Sequence, residues 1–517
     1  MGTTGLNIFY MKKLIYIALT AIFGNLSLFA QTPDRFLQTY NTLNYTNSES
    51  YGVVETSYGY MISGISIDTS GYQNGYYAYT LMGVDFNGNK LWEKKYGNQN
   101  LNFGVAWYAY DYLKSYKGYY YSITNAIDST NYAFSMVFKL NENGDTLWTK
   151  KYRGDNVDSI LVSASLNFTA DGIIHTGITG SNNNDSKLFL SKLDTLGNEI
   201  WRKKYNYTTY TEKLNYSIYD SISKKYIVVG YMEGVPMKST TYITDSLGNV
   251  LTQKYFINNG FGGILTNIRK LSDGNYLTCG IIYTGNTLGS WSLMKSILIK
   301  FDINGNVFWS KEYGQENIIN SFDALEITSG DTIIVAGQID TLFTQNLGLN
   351  TMYQIYKINP NGNVVWNREI DIITTNGSQD VLKGLAITND GGYALTGFHV
   401  NTPAPNPLVL VKLDKWGCLN TGCQTMGVEK LNSSNLFSVF PNPVSDIINL
   451  TMNFENASDA QLEIIDAQGK MIANPSLGYK VQGEHTVSIN VSNLSNGLYL
   501  LKITSGQSTV TKRFIKQ

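Results

Sequence analysis

The 517-residue chain predicts an all-β molecule, a seven-bladed β-propeller closed by an N-terminal strand and followed by a small antiparallel β-sandwich. Three observations predict it. A phrase Asp/Asn-x-x-Gly-Asn-x-x-Trp-x-Lys-x-Tyr recurs through the middle of the chain. Its seven glycines (Gly88, Gly144, Gly197, Gly248, Gly305, Gly362, Gly417) stand 56, 53, 51, 57, 57 and 55 residues apart. A second phrase, clearest as Asp390-Gly-Gly-Tyr393-Ala-Leu-Thr-Gly397 and Asp273-Gly-Asn-Tyr276-Leu-Thr-Cys-Gly280, precedes each copy of the first and keeps step with it. Between the phrases lie short apolar runs bounded by Asp-Gly, Asn-Gly and Gly-Asn pairs, the chemistry of tight hairpins, with no helical periodicity. A period of this length holds about four strands of ~5–6 residues, and seven such units arranged radially leave only short, protected edges.

Composition narrows the function classes. Lys+Arg 39 against Asp+Glu 40 gives net −1, which offers no basic face for nucleic acid. Three His and three Cys leave little for a multi-histidine metal centre or a disulfide scaffold. No internal apolar run approaches the ~20 residues of a membrane span.

Taken in order, the chain opens on a leader. Lys12 and Lys13 precede the apolar run Leu14–Gly24, Leu28-Phe-Ala30 follows, and Gln31 is the expected mature N-terminus, so residues 1–30 read as a secretory signal peptide. Met11 is the better start, and the absence of Cys from residues 1–30 excludes a lipoprotein anchor. Next comes Phe36-Leu-Gln-Thr-Tyr40, with the aromatic-to-Tyr spacing of the repeated phrase; it is expected to complete the last blade. The phrase itself carries Trp92, Trp148, Trp201, Trp309 and Trp366, each expected to pack between neighbouring blades. A degraded copy, Asp245-Ser-Leu-Gly248-Asn-Val-Leu251…Tyr255, lacks the Trp, and the last copy stops at Gly417. Beyond it Cys418 and Cys423 are expected to form a disulfide, since the chain leaves the reducing cytoplasm. Cys279 occupies a slot filled by Thr396, Ala336 and Val229 elsewhere and reads as a core residue. The propeller is assigned to residues 31–423, a polar linker to 424–436, and a domain of different texture to 437–517.

That last domain reads as strands at Ile447–Leu450, Gln461–Asp466, Thr486–Val491, Leu498–Thr504 and Thr509–Ile515, with turns at Gly469 and at Asn496-Gly497. Val439-Phe-Pro441-Asn442-Pro443, Ile464-Ile-Asp-Ala-Gln-Gly469-Lys470, Leu494-Ser-Asn496-Gly497-Leu-Tyr499-Leu-Leu-Lys502 and Lys512-Arg-Phe-Ile-Lys516 resemble the type A C-terminal sorting domain of the type IX secretion system. The resemblance covers about the last eighty residues. It implies passage through an outer-membrane translocon, removal of the domain by a sortase-like peptidase, and attachment to surface lipopolysaccharide or release. The repeats also resemble those of exported Bacteroidota proteins, a group without one activity.

Candidate chemistry is sparse. The Gly-Asn-x-x-Trp phrase is similar to the tryptophan-docking repeats of quinoprotein dehydrogenases, but the adjacent cysteines and acidic cluster of those enzymes are missing, so no cofactor is expected. Asp302-Ile-Asn304-Gly-Asn306 and Asp85-Phe-Asn87-Gly-Asn89 resemble fragments of calcium loops without the distant bidentate carboxylate. His175, His399 and His485 find no partner set in the sequence. Aromatic clusters (Trp107–Tyr112, Tyr116 with Tyr119–Tyr121, Tyr76-Tyr77, Tyr205 to Tyr210) would suit sugar stacking, or blade packing. Asp145-Thr-Leu and Asp340-Thr-Leu resemble O-glycosylation triplets of these bacteria. The expected function is an exported, surface or secreted binding or adhesion protein, its partner a polysaccharide or another surface protein met by loops such as Asn98–Ala106 and Phe256–Gly263. An exported polysaccharide-acting enzyme with carboxylates at the channel mouth, and a structural surface-layer component, are the alternatives.

Overall fold

The repeated Asp-x-x-Gly-Asn segment is a self-contained hairpin turn in the computed structural model of the chain. At Asp85 the carboxylate accepts the backbone N–H of Asn87 (2.9 Å) and of Asn89 (2.7 Å) and the Asn89 amide (3.0 Å). Asp194, Asp245 and Asp302 repeat this pattern. All seven glycines sit at φ between 73° and 86°, the left-handed region that a Cβ penalises.

The structure describes residues 35–42, 47–68, 76–97, 101–104, 113–130, 132–155, 160–180, 187–205, 212–232, 237–257, 262–283, 294–314, 318–340, 351–372, 379–400, 406–420, 423, 437–454, 458–466, 469–505 and 508–517. The leader 1–30 and the linker 424–436 lie outside them. Among the described residues there is no helix. The chain divides into two units, Met1–Asn420 and Thr421–Gln517.

The first unit is seven antiparallel blades, each running from an innermost to an outermost strand; single parallel bridges, Ile160↔Ala133 and Thr351↔Gln379, join blades 2 and 3 and blades 6 and 7 into continuous sheets. Blade 1 is Asn47–Glu55, Gly59–Asp68, Tyr76–Asp85 and Lys90–Tyr96. Blade 2 has a divided innermost strand, Leu101–Gly104 and Leu113–Tyr116, then Tyr119–Asp128, Ala133–Leu140 and Thr146–Tyr152. Blade 3 is Ile160–Thr169, Gly172–Gly180, Lys187–Leu193 and Glu199–Tyr205; blade 4 is Glu212–Asp220, Lys225–Met232, Lys238–Thr244 and Val250–Lys254. Blade 5 is Gly263–Lys270, Tyr276–Tyr283, Met294–Phe301 and Val307–Tyr313; blade 6 is Ala324–Ile327, Ile333–Asp340, Thr351–Ile358 and Val364–Ile370. Blade 7 has Gln379–Ile387, Tyr393–Val400 and Leu408–Leu413, and its outermost strand is Phe36–Tyr40, paired antiparallel from Phe36↔Lys412 to Tyr40↔Leu408.

The ring closes by this strand. Blade 1 then meets blade 7 through Thr396 Oγ1, which donates to Ser50 Oγ (2.7 Å), and Asn389 N–H, which donates to Glu55 (2.6 Å). Arg35 reaches Asp414 (3.2 Å) and the Asn420 carbonyl, and Cys418 and Cys423 are disulfide-bonded.

The phrase Trp-x-Lys-x-Tyr docks each outermost strand onto the next blade's hairpin. A Cβ placed on Gly144 would lie 2.4 Å from Trp92, on Gly197 2.8 Å from Trp148, on Gly248 2.8 Å from Trp201, on Gly362 3.2 Å from Trp309, and on Gly417 2.5 Å from Trp366. Over Gly88 the ring is Phe36, at 3.0 Å, so the closing strand occupies the Trp slot. The Tyr hydroxyls donate to the glycine carbonyls: Tyr40 to Gly88 (2.9 Å), Tyr152 to Gly197 (2.6 Å), Tyr205 to Gly248 (2.7 Å) and Tyr313 to Gly362 (2.8 Å).

Blade 4 keeps the register of the other hairpins, and its tyrosine slot falls on Phe256 rather than Tyr255. Ile243 pairs with Thr252 as Lys192 pairs with Trp201, so Thr252 holds the Trp slot, Lys254 lies over Gly305, and Tyr255 faces solvent. The glycine of the second phrase also has a physical reason that the sequence reading did not supply. A Cβ on Gly177, Gly280 or Gly397 would sit 2.0–2.1 Å from a carbonyl of the innermost strand, which in blades 3, 5 and 7 is bulged at that point, and on Gly337 it would sit 2.0 Å from the Ser321 carbonyl, just before that strand of blade 6.

The second unit packs a sheet of Phe437–Phe440, Ile447–Phe454 and Gly483–Asn490 with a sheet of Met471–Ala473, Ser476–Lys480, Ser458–Asp466, Gly497–Ser505 and Ser508–Lys516. Ile448, Leu450, Leu462, Ile464, Leu501 and Phe514 fill its core. Pro441 and Pro443 follow cis bonds, and Asn442 between them accepts the Ile515 N–H (2.8 Å). Gly469 takes a left-handed φ of 83°. Gly497 instead opens a strand, pairing with Lys516 next to the Asn496 bend, and Tyr499 stacks on Phe514 at 5.5 Å.

Candidate functional site

Where the innermost strands of the seven blades end, their side chains line a cavity of about 850 Å³ at one mouth of the central channel. Blade 1 contributes Val53 and Val54, blade 2 Leu113–Ser115, blade 3 Asn167 and Phe168, blade 4 Tyr216, Ile218 and Tyr219. Blade 5 gives Arg269 and Lys270, blade 6 Glu326–Ser329 and Lys357, and blade 7 Leu385–Ile387, Gly391 and Tyr393. That volume falls within the usual range of small-ligand sites, ~300–1,000 Å³.

The charge is one-sided. Lys114, Arg269, Lys270 and Lys357 line the cavity against the single carboxylate of Glu326. Arg269 grips Glu326 with two nitrogens (2.6 and 3.3 Å) and lies 4.9 Å over the Tyr216 ring. Lys114 bonds the Tyr216 hydroxyl and sits 4.3 Å over the same ring. Lys270 pairs with Asp220 at 2.6 Å. Burial alone would raise the Asp220 carboxyl, yet hydrogen bonds from Lys270 and Tyr276 hold it below its ordinary value. Flat rings complete the wall: Phe168 stacks on Tyr116 at 4.4 Å, and Tyr219 tilts against Tyr226 at 4.8 Å.

Below the mouth the channel narrows among Asp323, Glu326 and Lys383. Asp323 accepts from Ser321 Oγ (2.6 Å) and Gln338 Nε2 (3.4 Å). Burial lowers the Lys383 ammonium, while Asp323 and Glu49 oppose that shift. Burial raises Glu49, against a hydrogen bond from Tyr51 and the charge of Lys383.

The residues singled out in the sequence fall elsewhere. His175 is buried between Tyr152 and Phe189, among Ser135, Ser163 and Ser191, and burial lowers it to about 3. His399 is buried with Nδ1 2.6 Å from Asp380, and His485 is half-buried, bonded to the Val481 carbonyl. Cys279 is fully buried beside Thr266, and burial pushes its thiol up to about 12. In the calcium-like segments the Asp carboxylates serve their own turns. Trp107–Tyr112 and residues 206–210 lie outside the described residues. Tyr119 is exposed beneath Lys139, whereas Tyr121 belongs to a blade core.

The loop segments named from sequence are described only at 101–104, 256–257 and 262–263. Asn98–Ala106 contains the strand Leu101–Gly104, with Phe103 buried, and Phe256–Gly263 begins with Ile257 bonded to Ser239. Both enter innermost strands at the ends away from the cavity. The mouth residues carry no repeated motif; only their position beside the second phrase marks them.

Residues 438–517 match the family model described as the secretion system C-terminal sorting domain. A sorting domain implies export, to the cell surface or beyond it. No curated protein matches the chain. Among solved structures, a Porphyromonas gingivalis protein, PorZ, described as an essential surface component of the type IX secretion system, is 11% identical, with 90% of this chain and 70% of that one covered and a TM-score of 0.31. A Trypanosoma rangeli sialidase mutant with trans-sialidase activity is 9% identical over 92% of this chain and 88% of that one, TM-score 0.41. An α-L-arabinofuranosidase of Fusarium graminearum is 11% identical over 73% and 98%, TM-score 0.39.

Proposed function

We propose, with the C-terminal sorting domain as premise, that this is an exported propeller whose channel mouth binds a ligand at the cell surface or in the medium. The leader 1–30 opens the route. The tail, 437–517, is handled by the translocon and removed by a sortase-like peptidase; Pro441, Asn442, Pro443, Gly469, Asn496, Gly497 and Tyr499 hold its shape. The propeller, 31–423, carries the function, and its repeated Gly and Trp positions serve packing.

One observation carries the binding reading: a cavity of about 850 Å³ that every blade helps to line, with polar and aromatic groups converging on it. A polysaccharide is the favoured ligand class, because half-exposed rings and short hydroxyl and amide side chains suit sugar faces. Asp323 and Glu326 at the throat support a second reading, hydrolysis by paired carboxylates. Both are already engaged, by Ser321 and by Arg269, which favours binding over turnover.

The test uses full-length protein and a panel of polysaccharides. All eight tryptophans precede residue 424, so tryptophan fluorescence follows the first unit alone. A ligand at 100 times its Kd stabilises the folded state by about 2.7 kcal/mol. The expected result is a raised melting temperature with one class of glycan and no new reducing ends. Reducing ends released over time would replace binding by hydrolysis, and a panel without any shift would end the glycan reading.

A further inference from the structure

One lysine at the mouth is released by an inverted dipeptide. In blades 5, 6 and 7 the innermost and second strands are joined by the same five-residue turn: Leu271-Ser-Asp273-Gly274-Asn275, Thr328-Ser-Gly330-Asp331-Thr332 and Thr388-Asn-Asp390-Gly391-Gly392. The backbone bonds prove the alignment. Leu271 N–H donates to Asn275 O (2.8 Å) and Gly274 N–H to Leu271 O (3.1 Å). Thr328 to Thr332 (3.0 Å) with Asp331 to Thr328 (3.1 Å), and Thr388 to Gly392 (3.0 Å) with Gly391 to Thr388 (2.8 Å), repeat it. The fourth residue is left-handed each time, at φ 83°, 58° and 81°; in blade 6 the third, Gly330, has a positive φ as well, 123°.

In blades 5 and 7 the third residue is Asp, and it pairs with the lysine that stands two residues before the outer hairpin: Lys300 with Asp273 at 2.6 Å, Lys412 with Asp390 at 2.7 Å. Blade 3 makes the same pair through a shorter turn, Lys192 with Asp171 at 2.8 Å. Blade 6 reverses the order to Gly330-Asp331. Its aspartate takes the left-handed position and turns to blade 5, accepting the Ser272 N–H (2.9 Å) and hydroxyl (2.6 Å). Lys357, the counterpart of Lys300 and Lys412, is left half-buried in the cavity wall, with no ion pair or hydrogen bond among the described residues. A half-buried ammonium without a counter-charge is unfavourable, and an incoming anion relieves that.

We infer that the channel mouth takes an anionic polysaccharide, its carboxylate or sulfate group pairing with Lys357 and its sugar faces lying on Phe168 and Tyr219. This rests on the glycan-binding reading above and narrows it. Arg269 and Lys270 keep their charges balanced by Glu326 and Asp220, and Lys114 is held by the Tyr216 hydroxyl and ring, so Lys357 is the lining cation without a hydrogen bond or ion pair among the described residues.

The experiment titrates full-length protein with polygalacturonate, dextran sulfate, neutral dextran and poly-glutamate, at low and high salt. Wild type is expected to bind the first two, more weakly as salt screens the pair. Lys357→Ala is expected to lose about tenfold in affinity, and Lys357→Arg to keep most of it. The decisive variant exchanges the dipeptide, Gly330→Asp with Asp331→Gly. It restores glycine at the fourth position but asks the third, where Gly330 has a φ of 123°, to take the extended or right-handed backbone of Asp273 and Asp390, so its unfolding midpoint is read beside its affinity; with a carboxylate presented to Lys357 and the midpoint kept, it is expected to lose affinity like Lys357→Ala. Neutral dextran bound as tightly, and indifferent to Lys357, would overturn this inference and leave glycan binding intact. Preference for poly-glutamate would overturn it in favour of an acidic peptide, and failure of all three polysaccharides would overturn both readings.

Discussion

At the scale of single residues, glycine is kept for two separable reasons, and substitution can tell them apart. Gly274 and Gly144 share a left-handed φ (83° and 73°), but a Cβ on Gly274 meets nothing within 4 Å, whereas on Gly144 it enters the Trp92 ring at 2.4 Å. Gly274→Ala should therefore cost about 1 kcal/mol, the conformational penalty alone. Gly144→Ala should cost about 3 kcal/mol, because overpacking adds to it. Urea unfolding followed by tryptophan fluorescence checks the difference, and equal losses would mean that the ring yields freely. The Gly-x-x-x-Trp spacing is visible in the sequence. The fact that each Trp covers the glycine of the following blade is not, because that contact spans about fifty residues.

At the scale of the element, the outermost strand is a docking device of three side chains on alternate positions, and blade 4 is the copy in which it is worn. Thr252 stands in the Trp slot with the Lys254 stem over Gly305. Thr252→Trp should raise stability by about 1–2 kcal/mol through apolar burial between blades 4 and 5. An unchanged or lowered unfolding midpoint would show that the slot has closed around lysine. The strands, hairpins and closing segment were legible because hairpin glycines and alternation are local signals. The one misassigned position in blade 4, Tyr255 for Phe256 in the tyrosine slot, arose where the aromatic anchor was missing, and neighbouring residues of a strand face opposite sides. The mouth was far less legible. Its lining comes mainly from seven innermost strands, each contributing two or three residues of no shared type, and Lys357, from a third strand, is apparent as unpaired only after the Asp-Gly and Gly-Asp turns are superposed.

At the scale of the whole molecule, the ring is one cooperative object. Deleting residues 31–40 removes the Phe36 ring from Gly88, the Tyr40 hydroxyl from the Gly88 carbonyl, and a full antiparallel pairing from Leu408–Leu413. The truncated protein should melt at least several degrees lower and expose Leu408–Leu413, six residues buried at every position, as an unpaired edge. Light scattering on heating, compared with full-length protein, checks this; an unchanged melting curve would show that the strand is an accessory rather than the closure.

The two halves of that joint, Arg35 and Asp414, are 379 residues apart in the chain. A polypeptide passing through a pore, whichever end leads, has only one half on the far side until transfer is nearly complete. Contacts so distant in sequence are the slowest to form. The placement of the closing strand thus makes ring closure wait for both ends: a chain delivered from either terminus lacks this joint until residues 35–414 are all present.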